Sequence, residues 1–160
     1  MKTILVPTDF TIDCLHLLKK VLHYEETKNL NVILTAGIHT TQNFSDLLFY
    51  KKHKHLKTLE SKSYIEAKAI LINRYQNNIR SVRTELFLGK NDEAFFNFLK
   101  GLRVDEAYLP TDENAMNIHF KEGFNIVPFI KKSVLPITDF TYELRREQQS
   151  TDSIAQLLVY

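Results

Sequence analysis

Asp9 is the first residue whose position suggests chemistry. It follows the apolar run Ile4-Leu5-Val6 and the pair Pro7-Thr8, and an amphipathic helical pattern begins just after it, near Ile12. A carboxylate is therefore delivered to the carboxyl end of a strand. In open α/β sheets that end, where strand order reverses, is where ligands bind. A second reading is purely local: an acidic residue at a helix start accepts free backbone N–H groups. Asp112, Glu113 and His119 offer oxygen and nitrogen ligands within one loop. Acids beside a turn ordinarily face water, and no metal is expected there. His53 and His55 stand two residues apart, which places them on different faces of a helix and prevents a shared ion. Cys14, the single cysteine, lies in the first turn beside Leu15 and reads as a buried structural thiol.

Other catalytic patterns are missing. The chain contains no phosphate-binding GxxxxGK[ST] loop, no GxSxG elbow and no paired-cysteine zinc spacing. Four glycines leave no material for a glycine-rich phosphate loop. A net charge of +2 gives no general attraction to nucleic acid or anionic membrane. One cysteine excludes an intrachain disulfide and fits a reducing compartment. No apolar run reaches the ~18 residues of a membrane span, and ILV followed directly by PTD is unlike a signal peptide. A cytoplasmic protein with no membrane partner is expected.

The elements that must position these residues alternate between strand and helix. Ile4–Val6 and the run 31–38 (NVILTAGI) are continuous apolar stretches, as in strands covered on both faces. Residues 11–28 place Ile12, Leu15, Leu18 and Leu22 on one helical stripe. Residues 43–78 lack Gly and Pro and read as helical, with a break at the capping-box pattern Ser63–Glu66. Ahead of that break, the segment 51–62 carries five lysines against one glutamate and reads as a solvated helical face, part of a mobile insertion over 43–62. Residues 82–88 alternate as a third strand, with Thr84, Leu86 and Leu88 inward, and Asp92 and Glu93 open a helix. A fourth strand over 106–109 ends at Pro110. A helix over 120–132 is kinked by Pro128 or starts nearer Asn125, and a fifth strand covers 135–140. The pattern predicts an α/β fold over 1–140: a doubly wound, mainly parallel five-stranded sheet of order 3-2-1-4-5. Residues 141–160 form a C-terminal tail whose Ile154, Leu157 and Leu158 lack a local partner.

At this point the residues resemble a known family. KTILVPTDFT followed by a helix is similar to the opening of universal stress proteins, small α/β domains related to adenine-nucleotide-binding folds. The segment 105–110 (DEAYLP) sits where that family has D-x-I-V-M-G. The glycine motif of its nucleotide-binding members, G-x2-G-x9-G-[ST], falls without a gap on Pro110, Glu113, Gly123 and Phe124. The same register brings the family's final-strand proline onto Pro136. The resemblance implies a ligand crevice lined by Pro7, Thr8, Asp9, Leu109, Pro110 and Thr111, with Asp9 facing the nucleoside. It also implies a degenerate phosphate loop at Pro110, Glu113, Gly123 and Phe124. Phosphate loops need backbone N–H groups free of side chains. Proline supplies no N–H, Glu113 adds negative charge, and Phe124 adds bulk.

The expectation is a non-enzymatic protein of universal-stress-protein type, without ATP as cofactor. It would act in stress response or regulation through protein partners or another small ligand. A nucleoside-binding switch using Asp9 and strand-end backbone is the alternative. A nucleotide hydrolase is the third class, for which no nucleophile and base can be named. In the family the last strand pairs across a two-fold axis, so a homodimer is expected, with the tail helping to cover that edge. No nucleic-acid partner is expected. Phosphate neutralisation is strongly salt-dependent, so the protein should elute free of DNA and RNA at physiological salt. Retention that disappears when Lys51, Lys52, Lys54 and Lys57 become Ala would show that the basic segment was misread.

Overall fold

The computed structural model describes residues 1–25, 29–39 and 52–141. The expected segment 43–51, the end of the first helix over 26–28 and the tail 142–160 with Ile154, Leu157 and Leu158 lie outside them. In chain order the elements are β1 (Lys2–Pro7), α1 (Leu15–Tyr24), β2 (Leu30–Ile38), α2 (Lys52–Leu59) and α3 (Lys62–Arg74). They continue with β3 (Ile79–Phe87), α4 (Asp92–Leu102), β4 (Glu106–Pro110), a 3-10 turn (Glu113–Ala115), β5 (Gly123–Phe124), α5 (Val127–Lys131) and β6 (Ile137–Phe140).

The strands lie in the order β3-β2-β1-β4-β6, all parallel. β5 runs antiparallel beside the end of β2. The expected order is correct for the first four strands. The last strand of the path is the sixth in the chain, because the two-residue β5 precedes it. β1 is central, with Lys2–Pro7 opposite Leu30–Thr35 and with Ile4 and Leu5 opposite Glu106 and Ala107. Pro7 and Pro110 each occupy the last position of their strand, as expected of residues that cannot donate to the ladder.

Alternation along β1 and β2 explains why their apolar runs are continuous. Ile4, Val6, Leu34 and Ala36 face one core with Leu18 and Leu22 of α1 and Tyr64 and Leu71 of α3. Leu5 and Ile33 face the other with Phe95 and Leu99 of α4 and Val127 and Ile130 of α5. Phe87, read from alternation as lying on the polar side of β3, is buried in this second core. Its ring meets Phe95 edge-on at 5.0 Å. The edge strand is thus covered on both faces at its carboxyl end.

Local differences have local causes. The break ahead of α3 falls at Ser61, whose Oγ accepts the Tyr64 N–H at 3.1 Å, so Ser63 and Glu66 already lie inside the helix. α2 is docked rather than loose. Leu56 and Leu59 pack on the first core, and Lys52 Nζ lies 2.9 Å from Glu85, while Lys54 and Lys57 are exposed. The helix expected over 120–132 is confined to Val127–Lys131, with Pro128 in its first turn where no N–H is required. The freed residues before it make β5 instead. Among the described residues no helix is long and apolar enough to cross a membrane.

Phe95 is fully buried and touches Phe87, Phe98 and Phe129 at ring distances of 5.0, 5.9 and 5.7 Å. Phe95→Ala should lower unfolding free energy by about 3–5 kcal/mol in urea denaturation. Val134→Ser, at a fully exposed position, should stay within about 0.5 kcal/mol of wild type.

Candidate functional site

The chain leaves β1 through a short run of hydrogen bonds that the side chains themselves organise. The Thr8 N–H donates to Thr35 O at 2.8 Å, extending the β1–β2 pairing by one residue. Thr8 Oγ1 accepts the Phe10 N–H at 3.1 Å and lies 3.1 Å from the Tyr64 hydroxyl. The Cys14 thiol is buried and donates to Pro7 O at 3.5 Å, the structural role expected of it.

Asp9 has no exposed surface. Its Oδ1 accepts both the Thr11 N–H at 3.0 Å and the Thr11 hydroxyl at 2.5 Å, and its Oδ2 accepts the Asn117 N–H at 2.8 Å. Thr11 Oγ1 in turn accepts the Cys14 N–H at 3.2 Å, so the charge is relayed to the turn that opens α1. Asp9 thus makes a local bond pair with Thr11, ahead of the helix, and a long-range bond that tethers Asn117. Its lone pairs face the chain's own donors. Hydrogen bonds to a charged group contribute about 1.5–3 kcal/mol each, which offsets burial of the carboxylate.

The tether holds a strap. Residues 111–126 leave β4, pass over the end of β1 at Asn117 and reach β2, where Phe124 pairs with Gly37 and Gly123 with Ile38. The His39 N–H donates to Glu122 O at 2.7 Å. The strap brings Ala115 and Met116 into the core. Phe120 meets Phe10 edge-on at 5.3 Å, and Phe10 also meets Tyr64 at 5.9 Å. Phe124 stacks on His39 at 4.3 Å, and its ring lies where a Cβ on Gly37 would come within 2.5 Å of it. Aromatic side chains of the strap therefore occupy the carboxyl ends of the central strands.

Of the six expected crevice residues, Pro7, Thr8, Asp9, Leu109 and Pro110 converge there and all five are buried. Thr111 is exposed and turned to β6, its N–H donating to Phe140 O at 2.9 Å. Pro110 ends β4, the backbone of Glu113 starts the 3-10 turn, and Gly123 and Phe124 form β5. The one glycine kept from the phosphate motif has a packing cause. A Cβ on Gly123 would lie 2.3 Å from the Phe120 ring and 2.8 Å from Ile118. Asp112 Oδ1 accepts the Asn114 N–H at 2.9 Å, and the His119 ring lies 3.0 Å from Asn117 O. Among the described residues no three His, Cys, Asp or Glu side chains form a metal-holding group. Phe10, Gly37, His39, Asn117 and Phe120 were not anticipated. Gly37 carried a usable signal, since a glycine inside a strand marks close approach of another group.

A second polar cluster sits at the opposite, amino end of the sheet. Lys2 Nζ lies 2.8 Å from Glu25 and 2.6 Å from Glu106, and the Tyr108 hydroxyl donates to Glu25 at 2.6 Å. Burial works against the Lys2 ammonium, but hydrogen bonds to Glu106 and Glu25 outweigh it and hold the group above its ordinary range. Burial pushes the phenols of Tyr64 and Tyr108 well above theirs. The Thr8 hydrogen bond opposes this at Tyr64, and the Glu25 contact adds to it at Tyr108. A phenol whose folded pKa is raised stabilises the fold below its unfolded pKa of about 10, and that stability is lost as pH rises further. Of the seven tyrosines, these two should form tyrosinate only together with loss of the native circular dichroism. Their ionisation in a still-folded protein near pH 10 would contradict the burial argument.

No family model matches the chain, and no curated protein matches it in sequence. Solved structures do. The crystal structure of a hypothetical protein, PH0823, matches at a TM-score of 0.54 and 18% identity, covering 91% of this chain and 99% of its own. A second hypothetical protein, MJ0577, matches at 0.52 and 20%, covering 89% and 96%. A universal stress protein family protein from Arabidopsis thaliana, solved with AMP bound, stands at 0.49 and 12%, covering 92% and 96%. At these identities the likeness is one of fold alone, a mainly parallel α/β sheet with helices.

Proposed function

We propose that this is a non-enzymatic protein of universal-stress-protein type that acts in stress response or regulation without binding ATP. It would act through protein partners or another small ligand, as a cytoplasmic homodimer. One observation carries the reading. The carboxylate placed to receive a nucleoside, Asp9, is fully buried and spends its oxygens on Thr11 and Asn117. The loop that would cradle phosphates is a strap whose rings pack against Phe10, Gly37 and His39. Pro110 brings no N–H to it, and Gly123 is required by Phe120. A nucleoside switch working through Asp9 would have to break the Asn117 bond first. The homodimer rests on β6, which ends the strand order and leaves Ile137–Phe140 as an edge.

Micromolar affinity corresponds to about 8 kcal/mol. Each missing hydrogen bond to a charged phosphate oxygen removes about 1.5–3 kcal/mol of it. Isothermal calorimetry should therefore find Mg-ATP binding no tighter than about 1 mM, and adenosine no weaker than Mg-ATP. A dissociation constant for Mg-ATP below about 10 μM, with adenosine much weaker, would falsify the proposal.

A further inference from the structure

We infer that the strap is a switchable plug: residues 111–126 close the crevice over β1 and β2 through two coupled anchors, the Asp9–Asn117 hydrogen bond and the seat of Phe124 on Gly37. The first anchor ties the strap to the end of β1 at 2.8 Å, and the second ties it to β2 through a two-residue ladder and the His39–Glu122 bond. Between them Phe120 lies against Phe10.

The closed form carries unfavourable backbone of its own: Phe10 and Glu122 both take φ of 62°, the left-handed region that non-glycine residues avoid. Glu122 belongs to the strap, so release frees its backbone to relax, while Phe10 loses the Phe120 ring but keeps its bond to Thr8. Release also frees the Asp9 carboxylate from Asn117. The aromatic packing and the Asp9 bonds hold the closed form against these costs, the balance expected of an element with two arrangements.

The inference rests on the reading above that the strap, and not ATP, fills the crevice. Hydrogen exchange, measured with no ligand present, separates failure of the plug from failure of that reading. The probes are the backbone amides of Asn117 and His39, which donate across the closure, with Leu5 and Ile33 of the central strands as references. In the wild-type full-length chain, Asn117 and His39 should exchange with similar protection, at least about tenfold less than the references. Gly37→Val, which drives a side chain into the Phe124 ring, should speed exchange at both by a further tenfold or so, leaving Leu5 and Ile33 unchanged. Phe124→Ala removes the seat without a clash and should do the same, which keeps the test valid should the valine variant not fold. Asn117 and His39 exchanging only as slowly as the references in the wild type would make the strap an integral part of the fold and overturn the inference. So would variants that expose His39 and leave Asn117 protected.

Discussion

A carboxylate without solvent must find donors, and Asp9 finds three. Two come from Thr11, at the turn that opens α1, and one from Asn117, more than a hundred residues further along the chain. Burying the charge unsatisfied would be costly, so the donors are needed where they stand. The end of β1, the start of α1 and the middle of the strap are fixed relative to one group. β1 is the central strand of the order, flanked by β2 and β4, so what is fixed there is carried to both halves of the sheet. The strap's far end is then within reach of β2, where Gly37 is the residue without a side chain to block the Phe124 ring.

Much of the scaffold was legible because its signals are local. Continuous apolar runs at Ile4–Val6 and in β2 report strands covered on both faces. Asp92 and Glu93 report a helix start, and the residue before them, Asn91, caps it, its Oδ1 accepting the Ala94 N–H at 2.8 Å. The strap was not legible. A two-residue strand has no periodicity, and its partner lies more than eighty residues earlier, so Phe120 to Phe124 read as the start of a helix. Gly123, which aligns with a glycine of the phosphate motif, also lies against the Phe120 ring, a contact no spacing announces. Asp9 carried two readings in sequence because a helix start and a ligand contact ask for the same residue type. The bond from the distant Asn117 amide was beyond either reading.

The fold and the site thus speak to different questions. The α/β fold is shared with solved structures at 18–20% identity, and such a likeness says nothing of the chemistry at the carboxyl ends of the strands. Function resides in the site rather than the scaffold. The two polar centres make the contrast plain. The Lys2, Glu25, Glu106 and Tyr108 cluster braces the amino end of the sheet by pairing opposite charges. The Asp9 centre braces the carboxyl end with neutral donors alone among the described residues.

The central claim is that Asp9 serves the chain and not a ligand, and its most direct test is the unfolding free energy of Asp9→Ala and Asp9→Asn by urea denaturation without any added ligand. Alanine leaves the Thr11 and Asn117 amides without their acceptor and should lower stability by roughly 2–5 kcal/mol, whereas asparagine keeps one acceptor oxygen and should lose less. An Asp9→Ala protein within about 0.5 kcal/mol of wild type, the range of an inconsequential surface change, would mean that the carboxylate is not what holds the strap.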